Sequence, residues 1–298
     1  MFPLLKNQPF KKMLADVKKI LLSCQAEKTA IGAFNISNLE TAQAVVNAGV
    51  ATQRPLVVQI TESTLEYGGD VEIATLTRNI IEQRSDEVPM GLHLDHGKTF
   101  EICKKAVDLG FNSIMIDGSA LSFEENKNLT RRVTAYAQKY GVTVQGELGT
   151  VPYLGKHPVD NGPDIWDEYM TDPDQALEFI NYTLVDSLAV GIGNAHGFQK
   201  EREVPDWDRL VTIREKIKTP LILHGASDWT EEKATKAIEG GITCFNVDTD
   251  LRIAFVDQLC NTFTKGCAME DPRKIMGRVR NSVQRKTEDK IKMFGKKL

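Results

Sequence analysis

The sequence predicts an α/β fold: a (β/α)8 barrel of the TIM type, with an extra N-terminal helix and a C-terminal helical tail. Eight short apolar runs rich in β-forming residues recur along the 298-residue chain, and segments with helical periodicity separate them. Alternating strands and helices are typical of a parallel sheet. Eight such units in about 250 residues favour a closed barrel over an open sheet. We therefore expect a single domain over residues 1–298.

Each repeat supplies one strand and one helix. The predicted strands cover residues 30–34, 56–60, 89–94, 112–116, 142–147, 187–192, 220–223 and 243–247. The segments between them, such as residues 38–53 and 99–110, place apolar residues at helical spacing. Lysines among apolar residues before the first strand predict an amphipathic helix. The basic segment 271–298 predicts a helix that packs outside the barrel or reaches a neighbouring subunit.

One connection departs from this regularity. Between Leu148 and Thr171 the sequence VPYLGKHPVDNGPDIWDEY is rich in proline and glycine and has no clear period. A long irregular segment after a barrel strand is typical of a mobile active-site loop. We therefore expect this segment to border the active site.

Composition and charge argue against several classes of protein. The chain has 37 basic and 41 acidic residues, a net charge of −4, which gives no electrostatic basis for binding nucleic acid or an anionic membrane. No run reaches the ~18 apolar residues of a membrane span, and the N-terminus lacks the features of a signal peptide. The 5 cysteines are scattered without CxxC spacing, which favours reduced thiols and a cytoplasmic location.

The histidines are concentrated at one end of the predicted barrel. His93 and His96 end the third predicted strand, His196 follows the sixth, and His224 follows the seventh. Because the carboxyl ends of barrel strands meet at one mouth, these side chains converge there. Imidazoles from three strands with an open position are the pattern of a catalytic zinc site. The best set is His96, His196 and His224; we interpret His93 as a barrel-lining residue and His157 as solvated.

Two glycine-containing or polar turns also follow strands at this mouth. The first is Gly225-Ala226-Ser227 after the seventh strand, and the second is Asn246-Val247-Asp248-Thr249 after the eighth. Turns that lead from a strand into a helix present backbone N–H groups, and on the last two barrel strands they commonly bind phosphate. The alternative for the second turn is ordinary helix capping by Asp248 or Thr249.

Long motifs occur in order over most of the chain: AIGAFNISNLETAQAV, HLDHGKTFEICKKAVDLGFNSIMIDGSALSFEEN, GELGT, YMTDPDQA, GIGNAHG, LHGAS and FNVDTDLRIAF. At these residues the sequence resembles the class II, zinc-dependent fructose-bisphosphate/tagatose-bisphosphate (ketose-bisphosphate) aldolase family. The resemblance implies a carbon–carbon lyase on a TIM barrel. It also implies one catalytic Zn²⁺ per subunit, and it allows a monovalent cation in addition.

The resemblance implies a role for each matching residue. Asp95 would be the catalytic acid/base, and His96, His196 and His224 would hold zinc. Glu147 would support the zinc site or an alternative metal position. The implied substrate-binding residues are Gly197, Gly225, Ala226, Ser227, Asn246, Val247, Asp248 and Thr249.

The implied reaction is reversible aldol cleavage of a ketose 1-phosphate or ketose bisphosphate to dihydroxyacetone phosphate and an aldehyde. Cleavage between C3 and C4 leaves negative charge on the ketose fragment, which a Lewis acid stabilises. A base must also take the proton of the C4 hydroxyl. The expected partners are a small phosphorylated sugar and further copies of the chain in a homodimer or homotetramer. Arg273, Arg278 and Arg280 in the tail resemble the region that sends an arginine toward a neighbour's phosphate site; a solvated amphipathic helix is the alternative.

The sequence departs from the family pattern in four places. The loop after GELGT has no glutamate at the spot where a glutamate moves the proton on the ketose fragment, and Tyr153, His157 and Asp160 are the alternatives. The other three departures are Asp228 in place of a glycine, Cys244 in place of a lysine, and Thr61 in place of a serine. These differences leave fructose 1,6-bisphosphate as one candidate among related ketose phosphates.

Three other functions compete with this one. A Schiff-base aldolase needs a lysine inside the barrel, and none of the predicted strands contains one. A zinc-dependent barrel hydrolase would leave the phosphate-type turns without a purpose. A non-catalytic supporting subunit could lose its metal ligands. This chain retains a residue of the expected type at every ligand position, which argues against that function.

Overall fold

The computed structural model describes residues 13–151, 169–195, 205–264 and 271–295, and these form a closed barrel of eight parallel strands in sequential order. All eight predicted strands are confirmed. They are β1 (Ile31–Asn35), β2 (Leu56–Thr61), β3 (Met90–Gly97), β4 (Ser113–Ile116), β5 (Thr143–Leu148), β6 (Ser187–Val190), β7 (Leu221–Leu223) and β8 (Ile242–Val247). The predicted strand boundaries hold to within a few residues.

Eleven α-helices surround the barrel in the described part of the chain. They are α1 (Val17–Glu27), α2 (Leu39–Thr52), α3 (Glu62–Gly68), α4 (Asp70–Gln83), α5 (Phe100–Asp108), α6 (Phe123–Ala137), α7 (Pro173–Thr183), α8 (Trp207–Lys216), α9 (Glu231–Glu239), α10 (Thr249–Phe263) and α11 (Pro272–Phe294). Most begin at a side-chain cap. Asn38 and Ser122 each form a capping box, so local sequence fixes where the helix after a strand begins.

The first helix, which the amphipathic pattern predicts, closes the bottom of the barrel. Val17, Leu21 and Cys24 of α1 pack on side chains that point into the barrel, among them Ile31 and Cys244. The backbone N–H of Ala15 donates to the carbonyl of Met90 at 2.8 Å. The amino ends of the strands are therefore sealed by apolar packing, which leaves the opposite mouth for polar groups.

The C-terminal tail forms the long helix α11, which packs outside the barrel against α2 and α10. Its last residue, Phe294, stacks on Phe245 of β8 with ring centroids 4.4 Å apart. The carbonyl of Phe294 accepts from the N–H of Ala30 at 3.1 Å, just before β1. The predicted helical tail is therefore confirmed. Its end attaches beside β1 and β8, the two strands whose pairing closes the barrel.

The irregular connection predicted after β5 lies outside the described residues from 152 to 168, but both of its ends are held at the barrel mouth. The N–H of Thr150 donates to the Tyr169 carbonyl at 2.8 Å, and that of Thr171 donates to the Gly191 carbonyl at 2.8 Å. Gly149 has φ +77°, and a Cβ there would lie 2.7 Å from the Tyr169 carbonyl oxygen. The connection therefore leaves and re-enters the barrel at nearly the same point.

Among the described helices, none combines the length and apolarity that crossing a bilayer requires.

We expect Leu21→Ala to lower the free energy of unfolding by about 2–5 kcal/mol, the usual cost of a cavity at a buried leucine. Leu21 is 2% exposed, whereas its neighbour Leu22 is 44% exposed. Leu22→Ala is the matched control and should change stability by less than about 0.5 kcal/mol. Urea unfolding of both variants measures the difference, and equal effects would contradict the role of α1 as a packed seal.

Candidate active site

A cavity of about 830 Å³ opens at the mouth formed by the carboxyl ends of the strands. Its walls come from β1, β2, β3, β7 and β8 and from the helices α3 and α10. The polar residues that line it are Asn35, Thr61, Glu62, Ser63, Glu66, Asp95, His96, Lys98, His224, Ser227, Asn246, Asp248, Thr249, Arg252 and Asp257. The strongly polar wall contrasts with the apolar seal at the other end of the barrel.

The end of β3 brings two consecutive side chains to this cavity. Neighbouring strand residues normally point to opposite faces, yet both Asp95 and His96 line the cavity. The pairing of β3 with β4 shifts register between Leu94 and Gly97, and His96 has φ +50°. A left-handed conformation is unfavourable for a non-glycine residue, so the barrel holds His96 in a strained turn. The third strand, predicted for residues 89–94, in fact extends to Gly97, so His96 lies within β3 and the bulge turns its side chain inward.

His96 and His224 face each other across the barrel mouth. The Nε2 atom of His96 lies 3.0 Å from the Nδ1 atom of His224. The opposite nitrogen of each ring has its own partner. His96 Nδ1 lies 2.9 Å from Asp117 Oδ2, and His224 Nε2 lies 2.9 Å from the Gln145 side-chain amide. Each ring is thus oriented from behind, with one nitrogen aimed at the other histidine.

Buried carboxyl groups surround this pair. Burial, reinforced by the charge of Asp117, raises the pKa of Glu147 well above its usual value. Burial alone would raise the pKa of Asp117, but its hydrogen bond and charge interaction with His96 lower that pKa to about 2. For the His96 imidazole, burial alone would lower the pKa, but the neighbouring carboxylates outweigh burial and raise that pKa to about 10. Three carboxyl groups therefore surround His96, a setting that favours a bound cation.

Two groups of described residues could hold a metal ion, and they share one histidine. In the first, ligand atoms of Asp95, His96 and His224 lie within 4.8 Å of one another; in the second, those of His96, Asp117 and Glu147 do. Glu147 Oε2 is buried and has no hydrogen-bond partner among the described residues. The structure thus brings together two of the three predicted ligands and places Glu147 beside them.

His196 and Gly197, the third predicted ligand and its neighbour, lie outside the described residues, as do Tyr153, His157 and Asp160.

Asp95 is held between two amides. It is 5% exposed; its Oδ2 accepts from Asn35 Nδ2 at 2.7 Å, and its Oδ1 accepts from Asn246 Nδ2 at 3.2 Å. The same oxygen, Oδ1, lies 3.9 Å from His96 Nε2. Neutral donors thus fix both oxygens of the carboxylate at the cavity, which suits a group that exchanges a proton.

His93 lies inside the barrel, away from the histidine pair. Its Nδ1 atom lies 2.7 Å from Ser113 Oγ, and burial lowers its pKa to about 4. A neutral imidazole bound to a serine fits the predicted barrel-lining role, and His93 belongs to neither candidate metal group among the described residues.

The turn after β7 contributes backbone to the cavity wall. Gly225 and Ser227 line the cavity, whereas Ala226 is fully buried behind it. Gly225 has φ +67°, a left-handed conformation that glycine adopts without strain. The side chain of Asn194 donates to the carbonyl of His224 at 2.9 Å, which fixes the start of this turn.

The turn after β8 leads into the N-terminus of α10. Asp248 and Thr249 line the cavity, and Asp248 precedes the helix without making a capping hydrogen bond through its side chain. The capping alternative is therefore wrong for Asp248, whose carboxylate lies 3.3 Å from Arg252. Val247 is fully buried. The amide of Asn246 reaches Asp95 and His224, so this residue lies at the histidine pair.

Three departures from the family pattern fall in described regions. Thr61 lines the cavity and caps α3 by accepting from the N–H of Thr64 at 3.2 Å. Cys244 points into the bottom of the barrel, where it packs on α1. Asp228 is half-buried and is absent from the cavity wall. The Asp228 carboxylate therefore does not face the cavity, where it would repel a bound phosphate.

Sequence reasoning missed four residues that shape the site. Asn35, Asp117, Gln145 and Asn194 all orient a predicted site residue. Asn35, Asp117 and Asn194 lie at or near the carboxyl end of a barrel strand, inside one of the motifs quoted above, whereas Gln145 lies in the middle of β5, one residue before GELGT. The position of the first three was therefore a usable signal, but the hydrogen-bond partners of all four depend on the barrel geometry.

Comparisons with known proteins agree with this geometry. Residues 15–297 match the family described as "Fructose-bisphosphate aldolase class-II". The chain is 34% identical over 283 residues to the fructose-bisphosphate aldolase of Geobacillus stearothermophilus, covering 95% of this chain and 97% of that protein. It is 35% identical over 307 residues to the enzyme of that name from Thermus caldophilus, with coverage of 95% and 98%.

A solved structure gives the same result. The YdjI aldolase from Escherichia coli K12 superposes with a TM-score of 0.82 at 29% identity, covering 96% of this chain and 98% of that one. The family match spans nearly the whole chain, and Asp95, His96 and His224, which the motifs identify, line the cavity. The chain therefore belongs to the class II fructose-bisphosphate aldolase family and is an aldol-cleaving lyase.

Proposed function

We propose that the protein is a zinc-dependent aldolase that reversibly cleaves a ketose 1-phosphate or ketose bisphosphate to dihydroxyacetone phosphate and an aldehyde. The observation that carries the proposal is the position of Asp95, a buried carboxylate beside a facing histidine pair and near an open helix N-terminus. The relatives named fructose-bisphosphate aldolase support the same class of substrate.

The donor set supports a metal of the zinc type. Two imidazole nitrogens bound tetrahedrally at about 2.0–2.1 Å would lie about 3.3 Å apart, and His96 Nε2 and His224 Nδ1 lie 3.0 Å apart. We propose His96, His196 and His224 as the ligands, with Glu147 able to support the site or an alternative position beside Asp117. When bound, the metal would polarise the ketone oxygen and stabilise the negative charge left by cleavage.

Asp95 would exchange the proton of the C4 hydroxyl. In cleavage its carboxylate accepts that proton as the C3–C4 bond breaks, and in condensation it returns the proton to the aldehyde oxygen. Asn35 and Asn246 hold the two carboxylate oxygens in place. Because both partners are neutral amides, neither ties the carboxylate into an ion pair that would oppose protonation.

The two turns at the cavity wall would bind the phosphate of the dihydroxyacetone phosphate half. Gly225 and Ser227 offer backbone at one side, and the N-terminus of α10 at Asp248 and Thr249 offers N–H groups and a positive dipole end. We also keep Gly197, Ala226, Asn246 and Val247 in the proposed substrate site. Binding this remote group would orient the reacting carbons.

The barrel strands argue against the rival Schiff-base chemistry, because β1–β8 contain no lysine. The cysteines support a cytoplasmic location, since the four in the described residues are free thiols.

The chain also presents a surface suited to self-association. Ile253, Val256, Cys260 and Phe263 form an exposed stripe at helical spacing on α10, with Phe263 59% exposed. The side chain of Arg273 is 90% exposed beside Asp271, so a neighbouring subunit could reach it, whereas Arg280 is bound to Gln43 within the chain. We therefore propose a homodimer or homotetramer.

We expect Phe263→Asp to shift this oligomer toward monomers in light scattering at micromolar protein, because it places a charge in the apolar stripe but outside the cavity wall, which Ile253 and Val256 line. Val211→Asp is the matched control, since Val211 is 46% exposed on α8, and it should leave the molar mass unchanged. A wild-type protein that is monomeric and fully active would contradict the proposed assembly.

We expect Gln145→Leu to weaken zinc binding by about 10- to 100-fold, the usual effect of removing the partner that orients a ligating histidine. Gln145 contacts the His224 nitrogen that faces away from the histidine pair, so the ring would lose its fixed orientation. Competition with a chelator measures the affinity, and Asp95→Ala, which leaves that contact intact, is the comparison. Unchanged affinity would show that Asn246, whose amide lies 3.1 Å from the same nitrogen, and packing are enough to orient His224.

Zinc-loaded protein should release dihydroxyacetone phosphate from at least one ketose phosphate, and a screen of ketose mono- and bisphosphates, including fructose 1,6-bisphosphate, tests this. Asp95→Ala should lower kcat on the true substrate by about 10²–10⁴-fold while metal content stays nearly unchanged. If that variant kept more than about half of the activity, Asp95 would not be the acid/base. Turnover of a non-phosphorylated substrate alone would overturn the phosphate assignment.

A further inference from the structure

A buried lysine on the outer helix α11 reaches the back of the proposed phosphate site. Lys290 is 6% exposed, which is unusual for lysine unless its charge is paired. It lies near the end of α11 and outside the motifs that define the family resemblance. The two contacts of the Lys290 ammonium group indicate its role.

The first contact is with the turn after β7. Lys290 Nζ donates to the carbonyl oxygen of Ser227 at 2.5 Å, and Ser227 lines the cavity from the other side. A carbonyl oxygen that faced the cavity would repel an anion there. Because this carbonyl is bound from behind, it points toward α11 and away from the cavity.

The second contact is with the first turn of α10. Lys290 Nζ lies 2.8 Å from Asp250 Oδ2, and both side chains are less than 10% exposed. Asp250 is separated by one residue from Asp248, which marks the start of α10 at the cavity. One ammonium group therefore joins the turn after β7 to the helix after β8.

We propose that Lys290 is a positioning residue for phosphate binding. Its ammonium group holds the Ser227 carbonyl and the Asp250 carboxylate behind the cavity, so that the backbone N–H groups of the two turns converge on one anion. The inference deepens the proposed function, on which it rests for the identity of the bound group. Lys290 acts through these two contacts and does not touch the substrate.

A neighbouring lysine provides a matched control. Lys286 lies one turn earlier on α11, and its Nζ atom is 4.0 Å from Asp250 Oδ1 while its side chain is 42% exposed. Lys286→Met removes the same charge from the same helix but leaves the contact with Ser227 intact. Comparing the two variants therefore separates the effect of losing a positive charge near the site from the effect of releasing the Ser227 carbonyl.

The test measures binding of inorganic phosphate to the full chain by calorimetry, together with KM and kcat for cleavage of a ketose phosphate. Lys290→Met should weaken phosphate binding by about 10-fold or more, the scale of a lost hydrogen bond to a charged group. The effect should appear mainly in KM, with zinc content unchanged. Lys290→Arg should restore most of the affinity, and Lys286→Met should change it by less than about threefold.

A double variant keeps the test valid if the single one does not fold. Lys290→Met leaves the buried Asp250 carboxylate with only the more distant Lys286, 4.0 Å away, as a counter-charge, which is destabilising, whereas removing both charges of the pair is much better tolerated. Lys290→Met combined with Asp250→Asn should fold yet still bind phosphate weakly, because the Ser227 carbonyl is no longer held. Affinity equal to wild type in the double variant would overturn the inference and reduce Lys290 to a counter-charge.

The remaining outcomes separate the inference from the proposed function. Wild-type protein that fails to bind phosphate would overturn the inference whatever its activity. Wild-type protein that binds phosphate but cleaves no ketose phosphate would overturn the proposed function and leave the role of Lys290 to be decided by its variants. Lys290→Met protein with unchanged phosphate affinity would overturn the inference alone.

Discussion

The site depends on one backbone constraint, the bulge at the end of β3. A regular strand would point Asp95 and His96 to opposite faces of the sheet. The register shift after Leu94 and the left-handed conformation of His96 place both on the cavity side. Such a conformation costs about 1–3 kcal/mol, and the hydrogen bond to Asp117 helps to hold it. A candidate acid/base and a candidate metal ligand thereby become adjacent without any flexible loop.

Orientation at the site comes from side chains behind the reacting groups. Each of the two facing histidines has a fixed partner on its far nitrogen, a carboxylate for His96 and an amide for His224. A carboxylate partner makes an imidazole more electron-rich than an amide does, so the two rings differ as ligands. The buried Glu147, with one oxygen unpartnered among the described residues, adds a second carboxyl group beside Asp117 on the side of His96. The surroundings of the two histidines are therefore asymmetric: carboxyl groups lie behind His96, and an amide lies behind His224.

The sequence predicted the barrel well because the signal is repeated. Eight apolar runs, each followed by a helical period, leave few other folds, and each strand formed where its run was predicted. The residues at strand ends could be identified because the carboxyl ends of parallel strands meet at one mouth. The bulge could not be predicted, since it depends on how β3 and β4 pair. The hydrogen-bond partners of the site residues could not be predicted either, because Gln145 and His224, for example, are 79 positions apart and meet only across the closed barrel.

The two halves of the cavity are held in place by different parts of the fold. The histidine pair and Asp95 are oriented by side chains inside the barrel, where packing leaves little freedom. The phosphate-type turns lie at the surface ends of β7 and β8, where the barrel itself supplies no such support. The C-terminal helix provides it instead: α11 packs on α10, stacks Phe294 on Phe245, and inserts Lys290 between the two turns. The basic tail, predicted to pack outside the barrel or to reach a neighbouring subunit, thus supports the cavity wall from behind, through a contact between residues 63 positions apart.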